Sequence, residues 1–280
     1  MQIALAANTT IMSDKIIPSE VSIDKFGVSR HAFLSPSGGT RWTVCAAAPK
    51  MGSKMPNKGS YAASEGSVAH EIVEMILKDR LDGVTVEDYW LDKVIPYEKE
   101  KIIVTQEIID IAKFYCDYVQ ERKEELNAEM LIEQQLNLTE ICSEIWGTSD
   151  CILLAKDRIV IIDFKAGKWQ VDVDDNIQLK IYALMALQRY SDKSEVEMVI
   201  VQPRGFNKEG KVRSRTIKAE NLVDWGFNWL QPKAEKCLLP EDELEYVAGK
   251  HCHFCNYKPE CKTHKIFKEE QDEQKRQNKS

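Results

Sequence analysis

The sequence predicts an α/β protein in which helices flank a mixed central sheet and a small cysteine-bearing module joins the two ends of the chain. Segments with helical spacing of apolar residues precede and follow strand-like runs, among them GTSDCILLAKDRIVIIDFKAGKW at residues 147–169. This run is apolar on both faces, as in central strands that are covered on both sides. Residues 251–264 concentrate cysteine and histidine.

Size and composition describe an ordinary soluble chain. Its 280 residues are 43% apolar and 30% charged, enough for one large domain or one domain with an appendage. No apolar run reaches the roughly 18 residues of a membrane span, and the N-terminus lacks the basic part of a secretory signal. The 8 cysteines therefore predict a reducing, cytoplasmic compartment and metal or thiol chemistry. With a net charge of -7, any nucleic-acid contact needs a local basic channel.

The predicted elements follow in chain order. Residues 1–60, rich in Ser, Gly and Pro, predict loops with a short helix around Cys45. Helical spacing then predicts helices over 67–80 and 98–127. Strands follow at MLIEQQLNL, EIWGTSDCILLA, RIVIIDFK, VEMVIVQPR and KVRSRTIKA, with a helix at NIQLKIYALMALQRY after the third strand and another over 219–237 after the fifth. The tail KEEQDEQKRQNKS lacks apolar residues and predicts frayed helix or disorder.

The apolar run at 147–169 carries charges that are costly to bury. A turn centred on residues 156–157 places Asp150 opposite Asp163, with Cβ atoms roughly 4.5–5.5 Å apart, and Lys165 shares a strand face with Asp163. Two partly buried aspartates repel each other unless a proton or a cation intervenes. Their hard oxygens suit Mg²⁺ or Mn²⁺, and the lysine would orient a water and stabilise charge on a phosphate. A plain ion pair between Asp150 and Lys165 is the alternative interpretation.

These residues and their neighbours resemble the PD-(D/E)XK nuclease superfamily, in particular its RecB-like branch. GTSD at 147–150 matches the Gly-x-x-Asp strand of that branch, and DFK at 163–165 matches its (D/E)-x-Lys strand. QLKIY supplies Gln178 and Tyr182 of its Gln-x-x-x-Tyr helix, and GSVAH supplies the histidine of its early helix, His70. The resemblance implies a restriction-endonuclease-like sheet and a metal-dependent DNA nuclease.

The resemblance also implies the ligands of the catalytic metal. His70, Asp150 and Asp163 would hold Mg²⁺ or Mn²⁺, with the carbonyl of Phe164 as a fourth ligand. Glu133 sits where some relatives keep an acidic residue, so an outer role at the site and an ordinary surface glutamate both remain open.

The remaining implied roles concern catalysis. Lys165 would be the catalytic lysine, while Gln178 and Tyr182 would position the site or the DNA strand. The expected activity is that of an exonuclease in phage-type DNA recombination or processing, in a bacterial or phage-infected cell.

The cysteine-rich segment HCHFCNYKPEC holds Cys252, Cys255 and Cys261 in a Cys-x2-Cys-x5-Cys spacing, a strong metal signal. Tetrahedral zinc would need a fourth ligand, and His264 follows closely. RecB-like nucleases with an iron–sulfur cluster, such as AddB subunits and CRISPR-adaptation nucleases, pair one N-terminal cysteine with three C-terminal ones in this spacing. The resemblance therefore implies a 4Fe–4S cluster on these three residues and Cys45, with Zn²⁺ as the alternative.

The same reasoning divides the chain into four parts. Residues 1–60 contribute one cluster cysteine, 61–240 form the nuclease core, 241–265 form the cluster module, and 266–280 form the tail.

DNA is the expected partner, and no contact with a membrane is expected. The densest basic stretch outside the tail consists of Arg204, Lys208, Lys211, Arg213 and Arg215. Either contact with DNA or plain solvation explains this stretch. A helicase or a single-strand annealing protein is a further expected partner.

Two alternatives to an independent nuclease are a non-catalytic DNA- or partner-binding module that keeps the fold, and an accessory subunit active only in a complex.

Overall fold

The computed structural model describes residues 32–56, 59–97 and 100–277. The helices are α1 Gly39–Trp42, α2 Ala47–Ser53, α3 Tyr61–Leu77, α4 Val86–Trp90, α5 Gln106–Leu126, α6 Ile177–Arg189, α7 Ala219–Trp225, α8 Gln231–Cys237 and α9 Lys262–Gln277. The strands are β1 Val94–Tyr97, β2 Glu100–Ile103, β3 Glu129–Asn137, β4 Trp146–Leu154, β5 Arg158–Phe164, β6 Glu195–Val201 and β7 Val212–Lys218. A π-helical turn at Gly226–Leu230 joins α7 to α8, so residues 219–237 are helical throughout, as the sequence predicts.

The main sheet is mixed, as the sequence predicts. Its order is β3-β4-β5-β6-β7, and β5 and β6 are parallel while every other neighbouring pair is antiparallel. Helix α6 makes the crossover that a parallel pair needs. In the β4–β5 hairpin, Cys151 pairs with Ile162 and Leu154 with Ile159, which is the register predicted from the turn at residues 156–157.

Both faces of the central strands are buried. Ile152 and Ile161 pack in a core with α6, with α1 and α2 from the N-terminal side and with α7 and α8 from the C-terminal side. Their strand neighbours Leu153 and Ile162 point the other way, into a core with α3 and α5. This alternation is the two-residue period of a strand, and it confirms the expectation of a sheet covered on both sides.

One predicted helix is wrong at its start. Val94–Tyr97 and Glu100–Ile103 pair as the antiparallel strands β1 and β2, so Glu100–Ile103 is a strand and not part of the helix expected over 98–127. Ile102 is fully buried whereas Ile103 is half exposed, a strand-like alternation. Helix α5 begins only after Thr105, whose hydroxyl accepts a hydrogen bond from the Ile108 N–H and caps the helix.

The two ends of the chain can be compared with the predicted division of the chain into four parts. Residues 1–31 lie outside the described residues, and beyond them α1 and α2 flank Cys45. The tail, for which the sequence predicts frayed helix or disorder, is helical through Gln277. The residues described from Ala32 onward belong to one unit, so the boundaries predicted inside it stay predictions. Within the described parts of the chain, no helix is both long and apolar enough to cross a bilayer.

Candidate functional site

The two aspartates of the hairpin meet near the end of β5. Asp150 Oδ2 accepts a hydrogen bond from the Phe164 N–H at 2.7 Å, which ties the middle of β4 to the last residue of β5. Asp163, the residue before, is only 4% exposed. The predicted opposition of these two acids therefore produces a local concentration of negative charge in a largely dry setting.

Lys165 and Gln178 close a ring of contacts around Asp163. Lys165 Nζ lies 2.8 Å from Asp163 Oδ2 and donates to Gln178 Oε1 at 2.9 Å. Gln178 Nε2 in turn donates to Asp163 Oδ1 at 3.0 Å. Tyr182, one turn further along α6, is buried. The structure thus brings Asp163, Lys165 and Gln178 together, as the sequence predicts.

A second group of ligand atoms lies beside this ring. His70, Glu133 and Asp150 each offer one nitrogen or oxygen within 4.8 Å of the other two. His70 Nδ1 is 3.6 Å from Asp150 Oδ1. The sequence grouped His70 and Asp150 with Asp163, whereas the most compact set here contains Glu133, whose role the sequence left open.

The backbone at Glu133 explains how it reaches the site. Its φ is +50°, a left-handed conformation that is uncommon for a residue other than glycine. The β3–β4 ladder pairs Ile132 with Cys151 and Gln134 with Ser149, and Glu133 lies between these pairs, level with Asp150. Backbone strain of this kind concentrates at functional sites. In the sequence, the signals were an acid inside an otherwise strand-like run and the resemblance to relatives that keep an acidic residue there.

Aromatic packing fixes the histidine. The His70 ring lies on Phe164 with centroids 5.1 Å apart, and Phe164 lies on Tyr115 at 4.9 Å. The buried Tyr115 hydroxyl donates to the Ile162 carbonyl at 3.0 Å. This stack links α3 and α5 to β5 and holds the imidazole at the edge of the acidic group.

Burial and mutual repulsion control the ionisation of the site. Burial raises the pKa of Asp163, and Asp150 adds to the rise, against the pull of Lys165. Burial alone would lower the pKa of Lys165. The negative charges of Asp163 and Asp150 outweigh the effect of burial, so the pKa of Lys165 is raised. The amine therefore stays charged at neutral pH.

The donor set fits a hard divalent cation. Asp163 is buried, and its Oδ2 pairs with the Lys165 amine, 2.8 Å away. Carboxylate oxygens of Asp150 and Glu133 lie beside the His70 imidazole. Such a set of hard oxygen donors with one imidazole nitrogen is suited to Mg²⁺ or Mn²⁺.

Glu133→Gln should stabilise the metal-free protein at high pH. Burial, then Asp150 and Glu74, raise the pKa of Glu133 from 4.5 to about 8. The folded protein then binds more protons than the unfolded chain between these values, so the free energy of unfolding of the wild type falls as pH rises from 4.5 to about 8. The variant lacks this fall, and at pH near 8 urea unfolding should show it more stable by roughly 2–4 kcal/mol.

The control for this prediction is Glu129→Gln, at an exposed position on the same strand. It should follow the wild-type curve at every pH. A Glu133→Gln protein whose stability relative to wild type is the same at acidic and alkaline pH would contradict the argument.

The predicted cluster cysteines line one cavity. Its wall contains Cys45, Cys252, Cys255, Cys261 and His264, so the N-terminal and C-terminal contributions come together. Thiolates around one zinc ion lie roughly 3.8 Å apart at Zn–S distances of about 2.3 Å. In the described part of the chain, no three of these ligand atoms lie within 4.8 Å of one another. The predicted N-terminal and C-terminal ligands nevertheless share the wall of one cavity.

The basic stretch divides into buried and exposed members. Arg204 donates to Glu65 and Glu107, and its side chain is only 8% exposed. Arg213 is buried and bonds to the carbonyl oxygens of Gly210 and Val171. The expectation that both line a DNA path does not fit these contacts, because their guanidinium groups serve the fold.

Two lysines of that stretch are available. Lys208 and Lys211 are exposed, and Lys211 Nζ lies 5.2 Å from the centroid of the Phe114 ring. Arg215 is ion-paired with Asp174 and Glu209.

Together, fold and site define a mixed-sheet α/β protein with a carboxylate–histidine group at one end of the sheet and a cysteine-lined cavity beyond it. The chain belongs to the family DUF2800, described as a protein of unknown function, which matches residues 31–279.

Solved structures with distant similarity add a comparison. A candidate exonuclease from Eubacterium rectale is 12% identical, with 79% of this chain and 86% of that chain covered and a TM-score of 0.43. The protein SSO0001 is 13% identical over 78% of this chain and 95% of that chain, at a TM-score of 0.33. LHK-Exo in complex with dAMP is 9% identical over 71% and 90%, at 0.31. At such TM-scores these likenesses carry no functional weight, and the function is inferred from the site itself.

Proposed function

We propose that this protein is a Mg²⁺- or Mn²⁺-dependent deoxyribonuclease of the RecB-like PD-(D/E)XK type, acting as an exonuclease in phage-type DNA recombination or processing. One observation carries the proposal. A set of His70, Glu133 and Asp150 ligand atoms within 4.8 Å adjoins a lysine amine 2.8 Å from Asp163. A cation site with a separate positive group beside it suits phosphodiester hydrolysis, because both can stabilise the negative charge that develops on the phosphate.

The metal site in this proposal uses His70, Asp150, Asp163 and the Phe164 carbonyl, joined by Glu133. When bound, a divalent ion would polarise the phosphodiester and lower the pKa of a coordinated water. The carboxylates would then be neutralised, which removes the repulsion that adds to the effect of burial in raising the pKa of Glu133 and Asp163.

The other residues orient and stabilise. The charged Lys165 amine can donate to a phosphate oxygen as negative charge builds on it. Gln178 keeps Lys165 and Asp163 in fixed positions through its two hydrogen bonds. Tyr182 is buried against β4, where a side chain at Gly147 would approach Pro36 to 2.9 Å and Tyr182 to 3.4 Å. The glycine of GTSD therefore permits the close packing that supports α6.

A structural 4Fe–4S cluster on Cys45, Cys252, Cys255 and Cys261 is the second part of the proposal. The shared cavity, whose wall contains all four cysteines, supports it, and Zn²⁺ with His264 as the fourth ligand is the alternative. The cluster would join the segment between α1 and α2 to the segment before α9.

DNA is the proposed substrate, with Lys208 and Lys211 as phosphate contacts. A helicase or a single-strand annealing protein is the proposed partner.

A digestion assay tests the function. Protein purified without oxygen should degrade end-labelled linear DNA with Mn²⁺ or Mg²⁺, leave it intact with EDTA, and spare covalently closed circles if it needs an end. Protein that leaves both single-stranded and duplex DNA intact with Mn²⁺ would refute the nuclease. Binding that is unaffected by replacing Asp150, Asp163 and Lys165 together, without any cleavage, would favour a non-catalytic module.

A further inference from the structure

Trp169 is an exposed aromatic residue close to the acidic site. It exposes 79% of its surface and lies in the loop that follows β5. It lies four positions after Lys165, so the backbones of the two residues are at most about 14 Å apart. A large indole exposed to water does not contribute the hydrophobic free energy that its burial would provide. Exposed apolar surface next to a site is typical of binding surfaces.

The loop that presents Trp169 is held from beneath by a buried polar network. Gln202, which is fully buried, donates to the carbonyl oxygens of Gly167 at 2.9 Å and Trp169 at 2.6 Å. Its own carbonyl accepts from Arg213 at 3.0 Å, and Arg213 also donates to the Val171 carbonyl at 2.8 Å. These bonds fix the backbone and leave the indole outside, so its exposure is built into the fold.

Two further aromatic rings extend the surface. The His253 ring lies 5.9 Å from Trp169, centroid to centroid, and Phe254 lies 4.6 Å from His253. Phe254 is 66% exposed. The three rings bring the loop after β5 together with the cysteine-bearing segment, and they form a continuous aromatic surface.

A basic groove adjoins these rings. His253 belongs to its wall. Its charged lining residues are Lys250, Lys258, Lys265, Lys268, Glu269 and Asp272. The lysines outnumber the acids in a protein whose net charge is -7. A polyanion is therefore the complementary occupant of this groove.

We propose that Trp169, His253 and Phe254 are a stacking platform for single-stranded DNA, whose phosphates follow the lysine-lined groove. This inference rests on the proposed nuclease function and names its substrate class. Aromatic rings beside a basic groove bind unpaired bases without sequence preference. The bases of a duplex are stacked on each other and have no free face for such rings. The platform would thus select an unpaired strand on its way to the acidic site.

The test is fluorescence anisotropy with the full chain in buffer without divalent cations. The probes are a labelled oligo(dT) of about 20 nucleotides and a duplex of the same length. Trp169→Ala should weaken single-strand binding roughly 10-fold and leave duplex binding within about twofold. Trp169→Phe should keep most of the single-strand affinity. Phe227→Ala, an exposed aromatic on the turn between α7 and α8, is the control and should change neither.

The outcomes separate this inference from the nuclease itself. Unchanged single-strand binding by Trp169→Ala, or an equal loss on both DNAs, overturns the platform. Cleavage of the same DNAs with Mn²⁺ is measured in parallel. A wild type that cleaves neither DNA, together with a selective loss of single-strand binding in Trp169→Ala, would refute the nuclease and support the platform. Because Trp169 is so exposed, thermal unfolding should confirm that its variants fold normally.

Discussion

Asp150→Asn should abolish metal-dependent DNA cleavage, with a rate at least about 1,000-fold below wild type. Asp150 serves two groups at once: Oδ1 lies 3.6 Å from His70 Nδ1, and Oδ2 accepts from the Phe164 N–H. An asparagine keeps the size and can still accept that backbone bond. It removes the negative charge that would hold the cation next to Glu133. Single-turnover cleavage and Mn²⁺ titration by calorimetry would measure both losses.

The hairpin itself offers the matched control. Asp157→Asn makes the same chemical change at the turn between β4 and β5, where the aspartate is mostly exposed and pairs with Arg158. Cleavage and Mn²⁺ affinity should stay at the wild-type level, because exposed ion pairs contribute little. Cleavage by Asp150→Asn at more than a tenth of the wild-type rate would mean that the acidic group is not the metal site.

Cys255→Ser should remove the bound iron and the visible absorption of anaerobically purified protein, and lower the thermal midpoint by about 10 °C or more. The cavity it lines joins distant parts of the chain. Cys45 Sγ lies 3.9 Å from the carbonyl oxygen of Glu245, 200 positions away. A centre that ties such segments together contributes its binding free energy to folding. Iron quantitation and thermal unfolding monitored by circular dichroism would measure the effect.

Two variants are the controls for this prediction. Cys142→Ala removes a buried thiol that is not among the residues lining the cavity, and it should keep the full iron content and a midpoint within a few degrees of wild type. His264→Ala should also keep the metal if four cysteines hold it. Zinc in place of iron, released by His264→Ala, would reverse the assignment in favour of the Cys3His site.

The β4–β5 hairpin was predictable because its determinants are local. A tight turn at residues 156–157 and the two-residue period of a strand are enough to set Asp150 opposite Asp163 and to give both faces an apolar surface. The structure has this register and this division of the core. The helix expected over 98–127 begins only at Gln106, and the reason is equally physical: apolar residues at its predicted start fit both periods, and pairing between β1 and β2 decided between them.

The roles of single charged side chains depended on residues far away in the chain. Arg204 reads as a free cation in the sequence, but Glu65 and Glu107, 139 and 97 positions away, engage it. Glu133 reaches the acidic group only because β3 pairs with β4 and its backbone turns to positive φ.

Residue types and their spacing thus determine the strands, the opposed acids and the two sets of candidate ligands, since these follow from short-range periodicity. Which cations are free, which acid completes the compact group and how the ends of the chain share a cavity were decided by tertiary packing. Charge pairing and burial depend on distances in space that the order of residues does not state.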